Sequence, residues 1–85
     1  DIVAFVQNEC PHCEEFHLFA KQQGWIVDYR EISQIDAQNM FQDVQKHVPS
    51  LNQGVPTVVL DGHVIQGYDT DDTTGKKMKD IYDKF

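Results

Sequence analysis

Two thiols three positions apart, in Cys10-Pro11-His12-Cys13, hold the most reactive chemistry of this sequence, and they are its only cysteines. An apolar run, Ile2-Val3-Ala4-Phe5-Val6, precedes them, and a stretch with helical spacing follows. This context predicts a strand, a tight turn and a helix start. A thiol at a helix start faces backbone N–H groups that have no intrahelical partner, and the positive end of the helix dipole. Both stabilise a thiolate, the nucleophilic form of cysteine. The second thiol sits one turn further on and can close a disulfide with the first. The spacing admits a redox pair, half of a zinc site, or a structural bridge. Structural zinc usually takes four ligands. Here a second cysteine pair is absent, His12 lies within the turn itself, and His17, His47 and His63 are scattered. Thiol–disulfide exchange is therefore the leading reading, and no metal is expected.

Size and charge narrow the partners. The chain has 85 residues, 40% of them hydrophobic, which predicts one small domain over 1–85. A chain of this length buries roughly 60–65% of the surface that its unfolded form exposes, so its core is modest. Fourteen acidic residues against seven basic ones give a net charge of −7. That argues against nucleic acid, which needs a basic face, and against anionic membranes. No apolar run approaches the ~18 residues of a membrane span, and no signal peptide is visible.

Several elements must position the thiols. The run 2–6 has no alternation and reads as a strand covered on both faces. Pro11 suits the first helical position. Cys13, Phe16 and Ala20 give the helix an inner face, with Phe19 beside it, and Gly24 is a natural stop. Residues 25–32 form a second strand with Trp25, Val27 and Tyr29 on one face. Strand, crossover helix and strand make a βαβ unit, so the two strands are expected to be parallel. Ser33 and Asp36 resemble a capping box. Ala37, Met40, Phe41, Val44 and Val48 then mark a helix that Pro49 ends. Residues 50–54 are a loop, Val55-Pro56 opens a third strand over 57–60, and Asp61-Gly62 is a hairpin signal. A fourth strand follows from His63. The polar stretch 70–75 makes the last helix start weakly, with Met78, Ile81, Tyr82 and Phe85 on its inner face. The expected class is α/β: a four-stranded mixed sheet in the order βαβαββα, helices on both faces, a thioredoxin-like fold.

Nearly the whole chain resembles the glutaredoxin family. Three motifs carry the likeness: Cys10-Pro11-His12-Cys13 after the first strand, Val55-Pro56 before the third, and Gln66-Gly67-Tyr68-Asp69 after the hairpin. The second is similar to the family's Thr-Val-Pro with its cis proline, the third to its Gly-Gly-Tyr-x-Asp. The small size is similar to the glutaredoxins of phages. The resemblance implies a cytoplasmic monomer that reduces protein disulfides or glutathione mixed disulfides, with glutathione as co-substrate. It assigns Cys10, Pro11, His12 and Cys13 to the catalytic turn. It assigns Gln7, Val55, Pro56, Gly67, Asp69 and Thr70 to a glutathione groove. Three departures stand out. Gln7 occupies a position where the family often has Lys or Arg, and supplies no charge. Gln66 replaces the first glycine of the pair and is expected to narrow the groove floor. Gly54 stands where the family has threonine. They weigh toward disulfide exchange over tight glutathione binding.

In the mechanism implied, Cys10 is the exposed nucleophile and Cys13 resolves the mixed disulfide from the inner helix face. His12 replaces a tyrosine common in the family. It is either a positive charge or hydrogen-bond donor near the Cys10 sulfur, or a solvated surface imidazole. Two other functions fit the same residues: a thioredoxin-like electron donor to ribonucleotide reductase that does not use glutathione, and a glutathione-assisted iron–sulfur carrier.

Overall fold

The computed structural model describes residues 2–52 and 54–84. Its elements are β1 (Ile2–Val6), α1 (Pro11–Gln23), β2 (Asp28–Glu31), α2 (Ile35–His47), β3 (Thr57–Leu60), β4 (His63–Gln66), a π-helical turn (Asp71–Gly75) and α3 (Lys76–Asp83). The strands form one mixed sheet in the order β2-β1-β3-β4. β1 and β2 are parallel, with Val3 opposite Asp28. The β1–β3 and β3–β4 pairs are antiparallel. Among the described residues no helix is long and apolar enough to cross a membrane.

The unbroken apolar run of β1 follows from helices on both sheet faces. Ile2 and Ala4 join Phe16, Phe19 and Ala20 of α1, Met78 of α3, and Val58, Leu60, Ile65 and Tyr68 in the main cluster. Phe5 points the other way and meets Phe41 of α2 edge-on, with ring centroids 5.2 Å apart. Alternation of side chains along a strand places these neighbours on opposite faces.

Helix α1 is bounded as its end residues dictate. Pro11 stands in the first turn, and Gly24 closes the helix at φ 75°. That conformation suits glycine, and the Gly24 N–H reaches back to Ala20 and Lys21 carbonyls. Strand β2 is shorter than the stretch 25–32 predicted from the sequence. The Trp25 N–H is spent on the Ala20 carbonyl at 3.0 Å. The Trp25 ring packs edge-on against Phe19 and stacks on Tyr82 at 4.6 Å. Helix closure and ring packing thus hold Trp25 before regular pairing begins. The expected common face survives: Trp25 and Val27 pack on the core, and Tyr29 meets Phe16.

The capping box expected from Ser33 and Asp36 does not form. Gln34 is the N-cap of α2 and makes no side-chain cap bond. The Ser33 N–H and hydroxyl both donate to the Glu31 carboxylate, and the Asp36 carboxylate accepts instead from the Ala37 N–H at 2.9 Å. The far end of α2 behaves as predicted, stopping at His47 just before Val48-Pro49. Asp61 (φ 49°) and Gly62 (φ 83°) are both left-handed, the pattern of a two-residue type I′ hairpin.

The final helix starts more firmly than its polar sequence suggests. Thr70 and Thr73 cap each other: each backbone N–H donates to the other's hydroxyl at 3.2 Å. The Gly75 N–H reaches the Thr70 carbonyl at 3.1 Å across the wide turn. Met78 is fully buried and Ile81 packs on the core. Tyr82 is part exposed and stacks on Trp25. Phe85, expected on the same face, lies outside the described residues.

Candidate active site

Cys10 is the N-cap of α1, and it is disulfide-bonded to Cys13 with the two Cα atoms 5.2 Å apart. Its Sγ accepts a hydrogen bond from the Cys13 N–H at 3.2 Å, and its carbonyl accepts from the Glu14 N–H at 3.0 Å. Sulfur here takes the place of the oxygen that usually caps a helix. The chain enters the cap through Glu9, whose φ of 58° is unusual for a residue with a side chain. Left-handed backbone at such a residue costs on the order of 1–2 kcal/mol. It turns the strand end sharply into the helix.

The two sulfurs are unequally accessible. Cys13 is buried at 6% exposure, on the inner face with Phe16, whereas Cys10 is half-buried. An open cleft of about 500 Å³ borders them, and Gln7, Glu9, Pro11, Glu14, His17 and Tyr29 are among its lining residues. Among the described residues no lysine or arginine lines it. His17 and Tyr29 are a pair the sequence did not point to: His17 Nδ1 lies 2.9 Å from the Tyr29 hydroxyl. Their signal was present but ambiguous. His17 is four positions past Cys13 on the helix, and Tyr29 shares one face of the second strand with Trp25 and Val27 in the sequence.

A second hollow of about 330 Å³ contains His12, Val55, Gln66, Gly67, Tyr68, Asp69 and Thr74. It gathers three of the groove residues predicted from the sequence, Val55, Gly67 and Asp69, next to His12. Gln7 lies in the cleft beside Cys10 instead. The Val55–Pro56 peptide is cis, and the Pro56 side chain is fully buried. The Pro56 carbonyl accepts from the Gly67 N–H at 2.7 Å, which ties the two predicted motifs together. Thr70 is turned to a structural task by its exchange with Thr73, and the Asp69 N–H donates to the Thr74 hydroxyl at 3.0 Å. The His12 ring is exposed, with Nδ1 3.6 Å from a Glu15 carboxylate oxygen.

Two phenols near these hollows hold their protons tightly. Tyr29 is raised above the usual tyrosine value by burial and then by Glu14. Tyr68 is raised well above it, by burial first and then by donating to Asp71 Oδ1 at 2.5 Å. A phenol with a raised folded-state pKa keeps its proton after the unfolded chain has lost it. The stability it confers is full below the unfolded value of about 10 and is lost as pH rises above that. Unfolding in denaturant between pH 8 and 11 should therefore show stability falling toward alkaline pH. Tyr68→Phe should be less stable at pH 8 and have a flatter alkaline decline. An unchanged slope would remove Tyr68 as its cause.

No family model matches the chain, and no curated protein matches it.

Proposed function

We propose that this protein is a glutaredoxin-type thiol–disulfide oxidoreductase. The observation that carries the reading is the unequal pair: a helix-capping Cys10 sulfur at an open cleft, bonded to a buried Cys13. The four-strand mixed sheet with α-helices on both faces is compatible with a thioredoxin-like fold.

In the reduced protein the Cys10 thiolate attacks one sulfur of a substrate disulfide. A bond forms between Cys10 and that sulfur, the substrate S–S bond breaks, and the departing thiolate takes a proton from water. Cys13 then gives its proton to solvent and attacks the Cys10 sulfur. The second substrate thiolate leaves and is protonated, and the Cys10–Cys13 disulfide remains. Two electrons have passed from protein to substrate. Two glutathione molecules return them and become glutathione disulfide. Pro11 starts the helix that aims Cys10, since it needs no N–H partner there. Val55, Gly67 and Asp69 offer glutathione the hollow beside His12, Pro56 and Thr70 brace it, and Gln7 offers an amide in the cleft that borders Cys10.

A second reading has its own support. Neither hollow has a lysine or arginine among its lining residues, while Glu9, Glu14 and Asp69 are acidic. The carboxylates of glutathione meet no cation there. A protein electron donor, recycled by a reductase and serving an enzyme such as ribonucleotide reductase, needs none. The test is turnover of a glutathionylated peptide and of a disulfide-bonded peptide, each with glutathione or with a thioredoxin reductase as electron source. Turnover with glutathione supports the first reading. Turnover with the reductase alone supports the second. No turnover with either removes both.

His12 bears on the potential. Protonated or donating a hydrogen bond, it stabilises the thiolate and makes the disulfide more oxidising. His12→Tyr should lower the reduction potential by on the order of 30 mV, equivalent to about 1.4 kcal/mol. A redox titration giving an unchanged or higher potential would overturn this.

A further inference from the structure

Gln66, the last residue of β4, uses its side-chain amide on the loop that carries the cis proline. Its Nε2 donates to the Asn52 carbonyl at 2.6 Å, to the Thr57 hydroxyl oxygen at 3.0 Å and to the Gly54 carbonyl at 3.2 Å. Its Oε1 accepts from the Asn52 N–H at 3.3 Å. One amide thus engages both backbone groups of Asn52, much as a neighbouring strand does. The Thr57 hydroxyl extends the network by donating to the Gly54 carbonyl at 2.6 Å.

These contacts bracket Val55. Asn52 and Gly54 precede it, Thr57 follows it, and Gln66 lines the same hollow as Val55 and His12. Val55 lies outside the regular strands and helices. An irregular segment has few ladder bonds to fix it, so a side-chain network sets its position. None of Gln66's bonds reaches Cys10, whose sulfur is held by the Cys13 N–H.

We propose that Gln66 is a positioning residue that holds Val55 and its cis-peptide neighbour in register to receive an extended substrate segment beside the Cys10 disulfide. This rests on the exchange activity proposed above. A substrate that runs along Val55 depends on where that backbone lies. A small reagent that meets only the Cys10 sulfur does not.

The experiment compares wild type with Gln66→Ala on a disulfide-bonded peptide, using whichever electron source sustains turnover. Alkylation of reduced Cys10 by iodoacetamide, the reduction potential and hydrogen exchange at the Asn52 amide are measured alongside. Gln66→Ala should raise KM about tenfold with kcat within about twofold, speed Asn52 exchange, and leave alkylation rate and potential unchanged. Gln66→Met, which keeps the length without hydrogen bonds, should behave the same way and replaces Gln66→Ala if that variant does not fold. Gln66→Glu keeps the acceptors, loses the donors and should not restore KM. An unchanged KM in a wild type that turns over overturns this inference alone. A parallel loss of Cys10 reactivity, or a shifted potential, also overturns it, since Gln66 would then act on the thiol. A wild type that does not reduce the disulfide-bonded peptide overturns this inference, and one that turns over neither it nor the glutathionylated peptide overturns the exchange reading as well.

Discussion

Replacing Cys10 by serine is expected to abolish disulfide reduction, by on the order of 10³-fold or more, while replacing Cys13 by serine stops the cycle at the mixed disulfide. The asymmetry comes from helix α1. A hydroxyl is a poor nucleophile at neutral pH, so Cys10→Ser removes the attacking atom. Cys13 cannot take over, because it is 6% exposed and lies on the buried helix face with Phe16. In Cys13→Ser, Cys10 still stands at the cap, half-buried at the open cleft, and the N–H of residue 13 still points toward its sulfur. The first attack proceeds and the adduct accumulates. Mass spectrometry of acid-quenched samples should show Cys13→Ser carrying one substrate half, released by dithiol, and Cys10→Ser carrying none. Glutathione as electron source should restore turnover in Cys13→Ser, because its own thiol resolves the adduct. A reductase that needs the dithiol should not. An adduct on Cys10→Ser would reverse the two roles.

Much of this arrangement was legible in the sequence because its signals are local. Pro11 and Gly24 bound α1, Pro49 follows the end of α2, and Asp61-Gly62 makes the hairpin, each by backbone restrictions that act within a few residues. The inner faces of α1 and α2 came from spacing. What stayed hidden depends on partners distant in sequence. Trp25 looks like a strand residue until Phe19 and Tyr82 enclose it. Ser33 looks like a helix cap until the Glu31 carboxylate competes for it. In the sequence Gln66 shows only as a side chain in a glycine's place. Its amide in fact spans 14 residues back to Asn52, a link no periodicity encodes. The motifs assign Val55 and Gly67 to one groove; in the structure both line one hollow, and the Pro56–Gly67 hydrogen bond joins their segments.

Gly75 is the glycine at which an added methyl group would meet the closest neighbours. Its backbone is right-handed, so alanine is acceptable there by conformation and would be favoured by helix propensity. Space decides instead. A β-carbon at Gly75 would stand 2.8 Å from the Tyr68 hydroxyl oxygen and 3.0 and 3.1 Å from two ring carbons of Phe19. Neither ring moves freely. Tyr68 is 3% exposed and its hydroxyl is committed to Asp71, while Phe19 is packed against Trp25 and the core. Overpacking of this kind costs about 1–3 kcal/mol, against roughly half a kcal/mol or more of propensity gain. For a domain of this size each kcal/mol shifts Tm by about 4–8 °C. Gly75→Ala should therefore lower Tm by about 2–20 °C in thermal unfolding followed by circular dichroism. Gly75→Ala should cost less in a Tyr68→Phe background than in wild type, because the closest clash is gone there and only the two Phe19 contacts remain. Additive losses in that cycle would show that the hydroxyl is not the obstacle. The consequence extends to the site. Tyr68 lines the hollow with His12, Val55 and Asp69, so a shift of its ring to admit a methyl group at Gly75 deforms that hollow from behind.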